Sequence, residues 1–370
     1  MTTVTKTIGT SSRNYSTINA WEADLNDASI YNHGDTAIGE MYADSTFTGA
    51  TSTIENGSAL GGSAAQDIAL IKLTVHADSR HDGTAESGVL LKPTADSGHD
   101  QGIIRINVDN VIVEWLDISL DSLDSKNTNK AIVLTGTNDD CILRNMLIHD
   151  KGGNPGDEGP CMVDVVGAGA SSDTLTIQNN IIYNVVETDD DTANGIKVDE
   201  WAGTVNIYNN TIYNINSHGS NTATAYMYNG NSNQTANVKN NIAAKLVADN
   251  TTNQRAFVDT GTGTANEDYN LSDDTIGASA NKATGSNSLV DKTLAQIDFV
   301  STVTGSEDLH ISQSSVCIGE GVDLGTTNGV EIDINGRDRD AQGDTWDIGA
   351  HEFVADADTT GAAFMIFVDS

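Results

Sequence analysis

A ten-residue pattern recurs along this chain about every thirty residues. Its clearest copies read LTIQNNIIYN at 175–184 and VNIYNNTIYN at 205–214, and looser copies occupy 111–120, 141–150, 236–245 and 265–272. Aligning the copies gives successive spacings of 30, 34, 30, 31 and 29 residues between Val113, Leu143, Ile177, Ile207, Val238 and Glu267. A fixed period of this length predicts a fold built from stacked structural repeats.

The content of each copy indicates β-strands. Short runs rich in Ile, Val, Thr and Tyr alternate apolar and polar residues, which is the period of a strand. Helical repeats need apolar residues at i, i+3 and i+4 over a longer stretch, and the L-x-x-L-x-L frame of leucine-rich repeats is missing. We therefore predict an all-β fold, a right-handed single-stranded parallel β-helix in which each coil holds about three short strands.

Pairs of asparagines interrupt the pattern at one place in each coil. Asparagine tolerates the left-handed backbone conformation that a sharp corner between strands requires. Stacked asparagine amides can also form a hydrogen-bonded ladder from coil to coil. We predict both roles for the pairs Asn179-Asn180, Asn209-Asn210 and Asn240-Asn241.

The pattern divides the chain into four predicted segments. Residues 1–100 hold a first strand, a short capping helix and irregular first coils, and residues 101–300 hold the regular coils. Ile18, Trp21 and Leu25 form the apolar face of the helix, with Ser16 or Thr17 as its N-cap. Residues 301–353 are predicted to form a closing coil, and residues 354–370 an apolar terminal strand that packs on the last coil or on a partner.

The charge of the chain restricts its partners. The sequence has 18 Lys and Arg against 53 Asp and Glu, a net charge of −35. Nucleic acids and anionic membranes both require a basic face, so we predict neither as a partner. The three cysteines match no metal or disulfide pattern. No apolar segment resembling a signal peptide or a membrane helix is present, which predicts synthesis in a cytoplasm without Sec export.

The segment after residue 308 resembles a known superfamily. DLHISQSSVCIGEGVD at 308–323 and DINGRDRDAQGDTWDIGAHEF at 333–353 are similar to the C-terminal coil of right-handed parallel β-helix repeat proteins of the pectin-lyase-like superfamily. The residues that match are Leu309, Ser314, Ile318, Gly321, Asp333, Gly336 or Arg337, Asp347, Ile348, Gly349, Ala350 and Glu352. The opening TKTIGTSSRNYSTINAWEAD at 5–24 also resembles the start of bacteriophage virion and tailspike proteins of this type.

The resemblance implies glycan cleavage as one possible activity. Hydrolysis needs two carboxylates at a set separation, and β-elimination needs a base with a cation that neutralises the substrate's charge. An acidic cluster with Lys197 nearby is the candidate, as a catalytic pair, a calcium site or a solvated loop. The lyase-like pattern of Arg and Lys on one strand face is not visible in the sequence. The candidate residues are Glu187, Asp189, Asp190, Asp191, Asp199 and Glu200.

A second acidic run faintly resembles a calcium loop. The run DINGRDRDAQGD at 333–344 offers Asp333, Asp338, Asp340 and Asp344, but the Gly and Glu positions of an EF-hand loop do not fit. The alternative is that Arg337 or Arg339 pairs with Asp347 or Glu352. No cofactor other than calcium is suggested.

Three functions follow from these observations. The first hypothesis is a structural protein of a bacteriophage virion, a capsid decoration, head fibre or tail spike, located on the virion, trimeric and bound to other virion proteins. The alternative is a glycan-binding or glycan-degrading β-helix such as a tailspike depolymerase, a polysaccharide lyase or a glycoside hydrolase acting on a host glycan. A third reading is a bacterial surface module exported by a non-Sec route. An enzymatic role is the less favoured expectation.

Overall fold

The protein is a parallel β-helix of about eight coils in a computed structural model. The structure describes residues 2–55, 68–95, 101–123, 130–153, 159–167, 169–188, 191–343 and 345–355. Within these residues, three parallel sheets run along the solenoid, and each coil between its two ends adds one strand to each sheet. The predicted fold class is confirmed: the chain is all-β, with one short helix near the N-terminus.

Sheet A is the longest of the three. In the described part of the chain its strands, in spatial order, are β1 (Thr3–Ile8), β2 (Thr36–Met41), β4 (Leu70–Val75), β7 (Val111–Glu114), β10 (Cys141–Arg144), β13 (Thr174–Gln178), β16 (Thr204–Tyr208), β19 (Thr235–Lys239) and β22 (Thr264–Asp268). The first three strands pair in register over six residues, so the early coils are more regular on this sheet than the sequence suggested.

Sheets B and C complete each coil. The described strands of sheet B are β5 (Leu90–Leu91), β8 (Asp117–Ser119), β11 (Leu147–Lys151), β14 (Ile181–Val186), β17 (Thr211–Ser217), β20 (Ile242–Ala248), β23 (Leu271–Asp273) and β24 (Leu289–Lys292). Those of sheet C are β3 (Ser52–Ile54), β6 (Ile104–Ile106), β9 (Lys130–Leu134), β12 (Cys161–Val165), β15 (Ala193–Asp199), β18 (Ala223–Asn229) and β21 (Gln254–Asp259).

The predicted equivalence of the coils is confirmed in sheet A. Leu143 pairs with Val113 on one side and with Ile177 on the other, and the pairing continues to Ile207 and Val238. Glu267 is the next partner in this inward column. It accepts a hydrogen bond from the Tyr228 hydroxyl, which places a polar residue in the last coil where earlier coils have apolar ones.

The first asparagine of each pair makes the corner between sheets A and B. Asn179, Asn209 and Asn240 have φ of +54°, +53° and +58°, the left-handed conformation predicted for them. Trp115, Asn145 and Tyr269 occupy the equivalent corners and are also left-handed.

The second asparagine of each pair forms the predicted ladder inside the corner. The side-chain amide of Asn180 donates to Oδ1 of Asn210 at 2.9 Å, Asn210 donates to Asn241 at 3.0 Å, and Asn241 donates to Asn270 at 3.0 Å. The backbone N–H of each residue donates to the same oxygen. All four are at most 1 % exposed, so the ladder satisfies polar groups that would otherwise be buried without partners.

The predicted capping helix is α1 (Ile18–Ala23), and its N-cap is Thr17. The Thr17 hydroxyl accepts a hydrogen bond from the Ala20 N–H at 3.1 Å. Ile18, Trp21 and Leu25 are buried in the core of the first coils. A Cβ on Gly39 would lie 2.8 Å from the Trp21 ring, so glycine allows the tryptophan to lie against β2.

The segment that was predicted to close the solenoid does not form a coil. Residues 299–311 form an antiparallel hairpin of β25 (Phe299–Val303) and β26 (Ser306–Ile311), preceded by the helix α2 (Leu294–Ile297). Residues 312–353, which we call the strap, contribute no strand to sheets A, B or C in their described part, which lacks residue 344. The core at this end is instead covered by residues after β23, where Ile276 and Ala283 are buried in the main core.

The strap runs back along the corner between sheets A and B, held by the left-handed asparagines. The side-chain amide of Asn240 donates to the Val322 carbonyl at 2.8 Å. Asn179 and Asn209 both donate to the Val330 carbonyl, and Asn145 donates to the Asp333 carbonyl. Between Val322 and Asp333 the strap therefore crosses the coils in the direction opposite to their order in the chain.

The strap and the hairpin bury the outer face of sheet B. Apolar residues of β11, β14, β17, β20 and β23 form a second core with them. The sheet contributes Leu147, Ile181, Tyr183, Tyr213, Ile242, Ala244 and Leu271, and the covering segment contributes Ile297, Phe299, Leu309, Ile311, Cys317, Ile334, Ile348 and Ala350. Sheet B is thus covered on its outer face as well as its inner one. The segments 308–323 and 333–353 lie beside the solenoid, against this sheet.

The motif residues of the strap hold it in shape. The Arg339 guanidinium is fully buried and donates hydrogen bonds to Glu352 at 2.8 Å and to the Gly349 carbonyl at 2.9 Å. The contact between Arg339 and Glu352 is one of the predicted pairings. It also donates to the Asn179 side-chain oxygen at 3.2 Å. Gly349 has φ of +109°, and a Cβ there would lie 2.6 Å from Ile242.

The described residues include further short 3₁₀ turns and end before most of the terminal segment. These turns span Asp24–Asn26, Ala77–Ser79, Asp121–Leu123, Thr251–Asn253, Ser279–Asn281, Thr327–Gly329 and Arg339–Ala341. The apolar terminal strand predicted at 354–370 lies outside the described residues from 356 onward. No described helix is long and apolar enough to cross a membrane.

The ladder predicts a large cost for removing one amide. Asn210→Ala removes the acceptor of Asn180 and the donor to Asn241 in a fully buried site, so we expect the free energy of unfolding to fall by roughly 3 kcal/mol. Urea titration followed by circular dichroism measures this change. The exposed Asn233→Ala is the control and should change the midpoint little. Equal midpoints for the two variants would contradict a stabilising ladder.

Candidate functional site

A polar cavity lies on the outer face of sheet C. It has a volume of about 490 Å³ and spans strands β9, β12, β15, β18 and β21. We call it the sheet C groove. The residues that line it are Lys130, Gly159, Cys161, Asp164, Val166, Asp191, Thr192, Asn194, Lys197, Thr222, Thr224, Met227, Arg255 and Val258.

Register places the polar residues of the groove in two columns. Lys130, Cys161, Asn194, Thr224 and Arg255 are successive partners in the first column. In the second column, Val133, Asp164, Lys197, Met227 and Val258 are successive partners. Neighbouring strands of a sheet lie about 4.8 Å apart, so side chains from distant parts of the sequence form one continuous surface.

A buried ion pair lies at one end of the groove. Lys130 Nζ is 2.8 Å from Asp164 Oδ2, and the two side chains are 8 % and 3 % exposed. A buried charge requires a partner, which each of these residues provides for the other. The ion pair keeps the carboxylate fixed on the outer face of the sheet.

Cations extend along the groove from this pair. Lys197 Nζ lies 3.3 Å from Asp199 Oδ2. Burial alone would lower the pKa of Lys197, but the charges of Asp164 and Asp199 outweigh it and hold that pKa above its usual value. Lys197 is therefore charged at neutral pH, and Arg255 lines the groove two coils further on.

Two buried acceptors in the groove have no hydrogen-bond donor among the described residues. They are Oδ1 of Asp164 and Oδ1 of Asn194, and both residues are less than a tenth exposed. An unpaired buried acceptor costs free energy that a hydrogen bond from a bound ligand would recover. The groove thus offers acceptors at β12 and β15 and cations at β15 and β21.

The structure disperses the acidic cluster that the sequence suggested. Asp191 lines the groove. Asp199 is the last residue of β15, and its carboxylate lies next to the Lys197 ammonium group. Glu187 is fully buried, and Glu200 is exposed at a left-handed turn with φ of +57°. Asp189 and Asp190 lie outside the described residues.

Asp191 and Asp199 cannot act together on one bond. Asp191 precedes β15 and Asp199 is its last residue, and eight residue steps of extended chain span about 26 Å. Glycoside hydrolysis needs carboxyl groups within about 10 Å of each other. Asp191 and Asp199 are therefore not placed as a catalytic pair, and of the predicted acids Asp191 is the one that lines the groove.

The acids of the predicted calcium loop make local structural bonds. Asp338 Oδ1 accepts a hydrogen bond from the Asp340 N–H at 3.0 Å, and Asp340 accepts one from the Trp346 indole at 2.9 Å. Asp344 lies outside the described residues. No group of three or more His, Cys, Asp or Glu side chains among the described residues is arranged to hold a metal ion.

A second polar cavity lies between sheet B and the hairpin. It has a volume of about 380 Å³, and His149, Asp150, Tyr183 and Glu307 are among its lining residues. The His149 ring stacks on Tyr183 with centroids 5.1 Å apart, while Tyr213, the register partner of Tyr183, meets Phe299 edge-on.

His149 is held between two carboxylates. Nε2 lies 2.8 Å from Asp117 and Nδ1 lies 2.8 Å from Asp150. Burial alone would lower the pKa of His149, but hydrogen bonds and charge from the two aspartates raise it to about 9. The Asn184 amide connects this cluster to the hairpin by donating to both Asp150 and Glu307.

Sequence reasoning missed most of the groove. Lys130, Asp164 and Arg255 come from separate coils and share no local motif, so only the alignment of the coils brings them together. Extending the repeat alignment into the third strand of each coil would have shown the column. It would also have revealed a strand face with Lys and Arg side chains, which the sequence alone did not suggest.

No protein-family model matches the chain, and no curated protein matches it.

The pKa of His149 predicts a pH-dependent stability. Because the folded pKa of about 9 exceeds the unfolded value, the stabilisation is complete below about pH 6.5 and is lost as the pH rises through 9. We expect the free energy of unfolding to fall by roughly 3 kcal/mol over this window because of His149. Urea titrations of the native chain and of His149→Gln at both ends of the window measure the difference.

The exposed His218→Gln serves as the matched control and should keep the native pH dependence. A His149→Gln variant with the same slope as the native chain would show that the histidine is not a stabilising cation.

Proposed function

We propose that this β-helix binds an acidic glycan along the sheet C groove. The observation that carries the proposal is the convergence of Lys197 and Arg255 with the unpaired buried acceptors of Asp164 and Asn194 in one open cavity. In a chain of net charge −35, such a concentration of cations favours an anionic ligand. A glycan also supplies hydroxyl donors for the two acceptors.

The two columns suggest how the glycan would lie. The groove crosses successive coils, so an extended chain would run along the solenoid axis, perpendicular to the strands. Its hydroxyls would donate to Asp164 and Asn194 near β12 and β15. Its carboxylate or sulfate would accept charge-assisted hydrogen bonds from Lys197 and Arg255, of which Arg255 can make two parallel bonds.

We favour recognition over cleavage at this groove. Asp164 already forms an ion pair with Lys130. Among the described lining residues, Asp164 is also the only carboxylate that could act together with Asp191. A role in glycan degradation remains the alternative, and the same binding experiment distinguishes the two when product formation is followed.

Removal of one cation tests the proposal. Arg255→Ala should weaken binding of oligogalacturonate or alginate fragments roughly ten- to a hundredfold, because it removes a charge-assisted hydrogen bond. Calorimetry measures the affinity, and neutral malto- and chito-oligosaccharides provide the comparison. Analysis of the mixtures for new reducing ends or unsaturated sugars tests cleavage.

Arg105→Ala is the matched control, since Arg105 lies on the same sheet at β6 but does not line the groove. It should leave the affinity unchanged. Equal binding of neutral and acidic fragments, or an Arg255→Ala variant that binds like the native chain, would refute the proposal.

A second candidate function is structural, as a component of a bacteriophage virion. The strap favours it, because residues 312–353 bind corners of several coils and hold them together without disulfides. Such cross-coil bonds resist local unfolding and proteolysis, which a particle outside a cell requires. The two functions are compatible in a spike or fibre that attaches to a host glycan.

The virion hypothesis predicts a trimer whose assembly depends on residues 354–370. Deletion of this apolar segment should convert the trimer to a monomer, because an exposed apolar strand associates with other copies. Light scattering of the full and shortened chains gives the masses. A monomer in both forms would contradict the trimer and remove this support for a virion role.

A further inference from the structure

The outer face of sheet A carries a regular array of threonine and asparagine. One column consists of successive register partners Thr174, Thr204, Thr235 and Thr264, and the column beside it consists of Thr176, Asn206, Asn237 and Asn266. We call these eight residues the T-x-N array, because β16, β19 and β22 each present Thr-x-Asn outward.

Alternation fixes which side chains face outward. Val205 and Ile207 of β16 are buried in the main core, as are Ala236 and Val238 of β19. The residues between them therefore point away from the core. Thr264 and Asn266 are exposed, Thr176 is buried, and the others are half-buried.

Hydrogen bonds order the asparagine column. The Asn266 amide donates to Asn237 Oδ1 at 2.9 Å, and Asn237 donates to Asn206 Oδ1 at 2.9 Å. Asn206 in turn donates to the Thr176 hydroxyl at 3.3 Å. Each amide is therefore held in one orientation, and its second N–H repeats along the face at the spacing of the coils.

The array carries no charge in a strongly acidic chain. None of its eight residues is charged, although the sequence contains 53 Asp and Glu. Charged residues begin only at the border, where Lys239 and Asp268 follow in the third outward column. A charged surface orders a shell of counterions and water around itself, whereas this face presents only hydroxyls, methyl groups and amides.

The geometry of a parallel sheet makes this pattern a lattice. Neighbouring coils repeat at about 4.8 Å, and alternate residues along a strand repeat at about 6.6 Å. Water oxygens in ice repeat on the same scale. A flat face that fixes hydroxyl, methyl and amide groups at this spacing can hold ordered water without first reorganising its side chains.

We propose that the T-x-N array binds ice. Threonine hydroxyls and asparagine amides would hydrogen-bond to ordered water, and the threonine methyl groups would fill the gaps between water molecules. The binding mode is adsorption to a crystal face, with no bond made or broken. It is separate from the sheet C groove and does not depend on the glycan proposal.

Ice fits this face better than a crystalline glycan. Flat glycan surfaces are bound by aromatic rings that stack on sugar faces. The array contains no aromatic residue, and Tyr208 at its border donates its hydroxyl to Asn206 Oδ1. Binding to cellulose or chitin particles would therefore count against the proposal.

Ice growth measures the activity directly. The purified full chain should inhibit ice recrystallisation at micromolar concentration, and a fluorescently labelled sample should coat a growing ice crystal. Thr235→Tyr places a bulky ring in the centre of the array and should reduce the inhibition about tenfold or more, because the face no longer contacts a flat crystal.

Two variants control for indirect effects. Thr302→Tyr makes the same change on exposed strand β25, outside sheet A, and should inhibit like the native chain. Arg255→Ala should also inhibit like the native chain, because it affects only the groove. A urea titration of Thr235→Tyr verifies that it is folded. An inactive native chain, or a folded Thr235→Tyr with native activity, would overturn the proposal.

Discussion

The corner between sheets A and B determines much of this structure. A strand that ends in a left-handed residue can turn sharply, and two adjacent asparagines share the consequences of that turn. The first, such as Asn209, adopts the strained conformation and directs its amide outward, where it binds the strap. The second, such as Asn210, directs its amide inward and bonds to the next coil. Coil stacking and strap attachment therefore depend on the same two-residue unit.

The outer faces of the three sheets differ in their side chains. Sheet B is covered by the strap and the hairpin, against which apolar side chains of its outer face pack beside the polar pair His149 and Asp117. Sheet C carries a polar groove on its outer face, and this groove is lined by Lys130, Lys197 and Arg255. Sheet A presents an uncharged face over its last coils. A single backbone geometry thus supports a covered face, a face with a charged groove and an uncharged face.

The sequence was most informative where the determinants are local. The alternation and the asparagine pair lie within a ten-residue pattern that recurs along the chain, so the coil register and the ladder could be predicted from it. The groove could not, because Asp164, Lys197 and Arg255 line one surface only after four coils have stacked. The strap was mistaken for a coil because its motif resembles a terminal repeat. A signal was nevertheless present: Ile181, Ile182 and Tyr183 are consecutive apolar residues, which is typical of a strand buried on both faces.

The course of the strap imposes an order on folding. Its hydrogen bonds to the corner asparagines join residues 82 to 188 positions apart in the sequence, whereas the ladder joins residues about one coil apart. The strap is also synthesised after every coil it contacts. The surface to which it binds is therefore present in the chain before the strap is made. Until it docks, Tyr213 and Ile242 lie on an uncovered apolar sheet. Docking of the strap therefore closes longer loops than the stacking of neighbouring coils does, and it carries the larger cost in chain entropy.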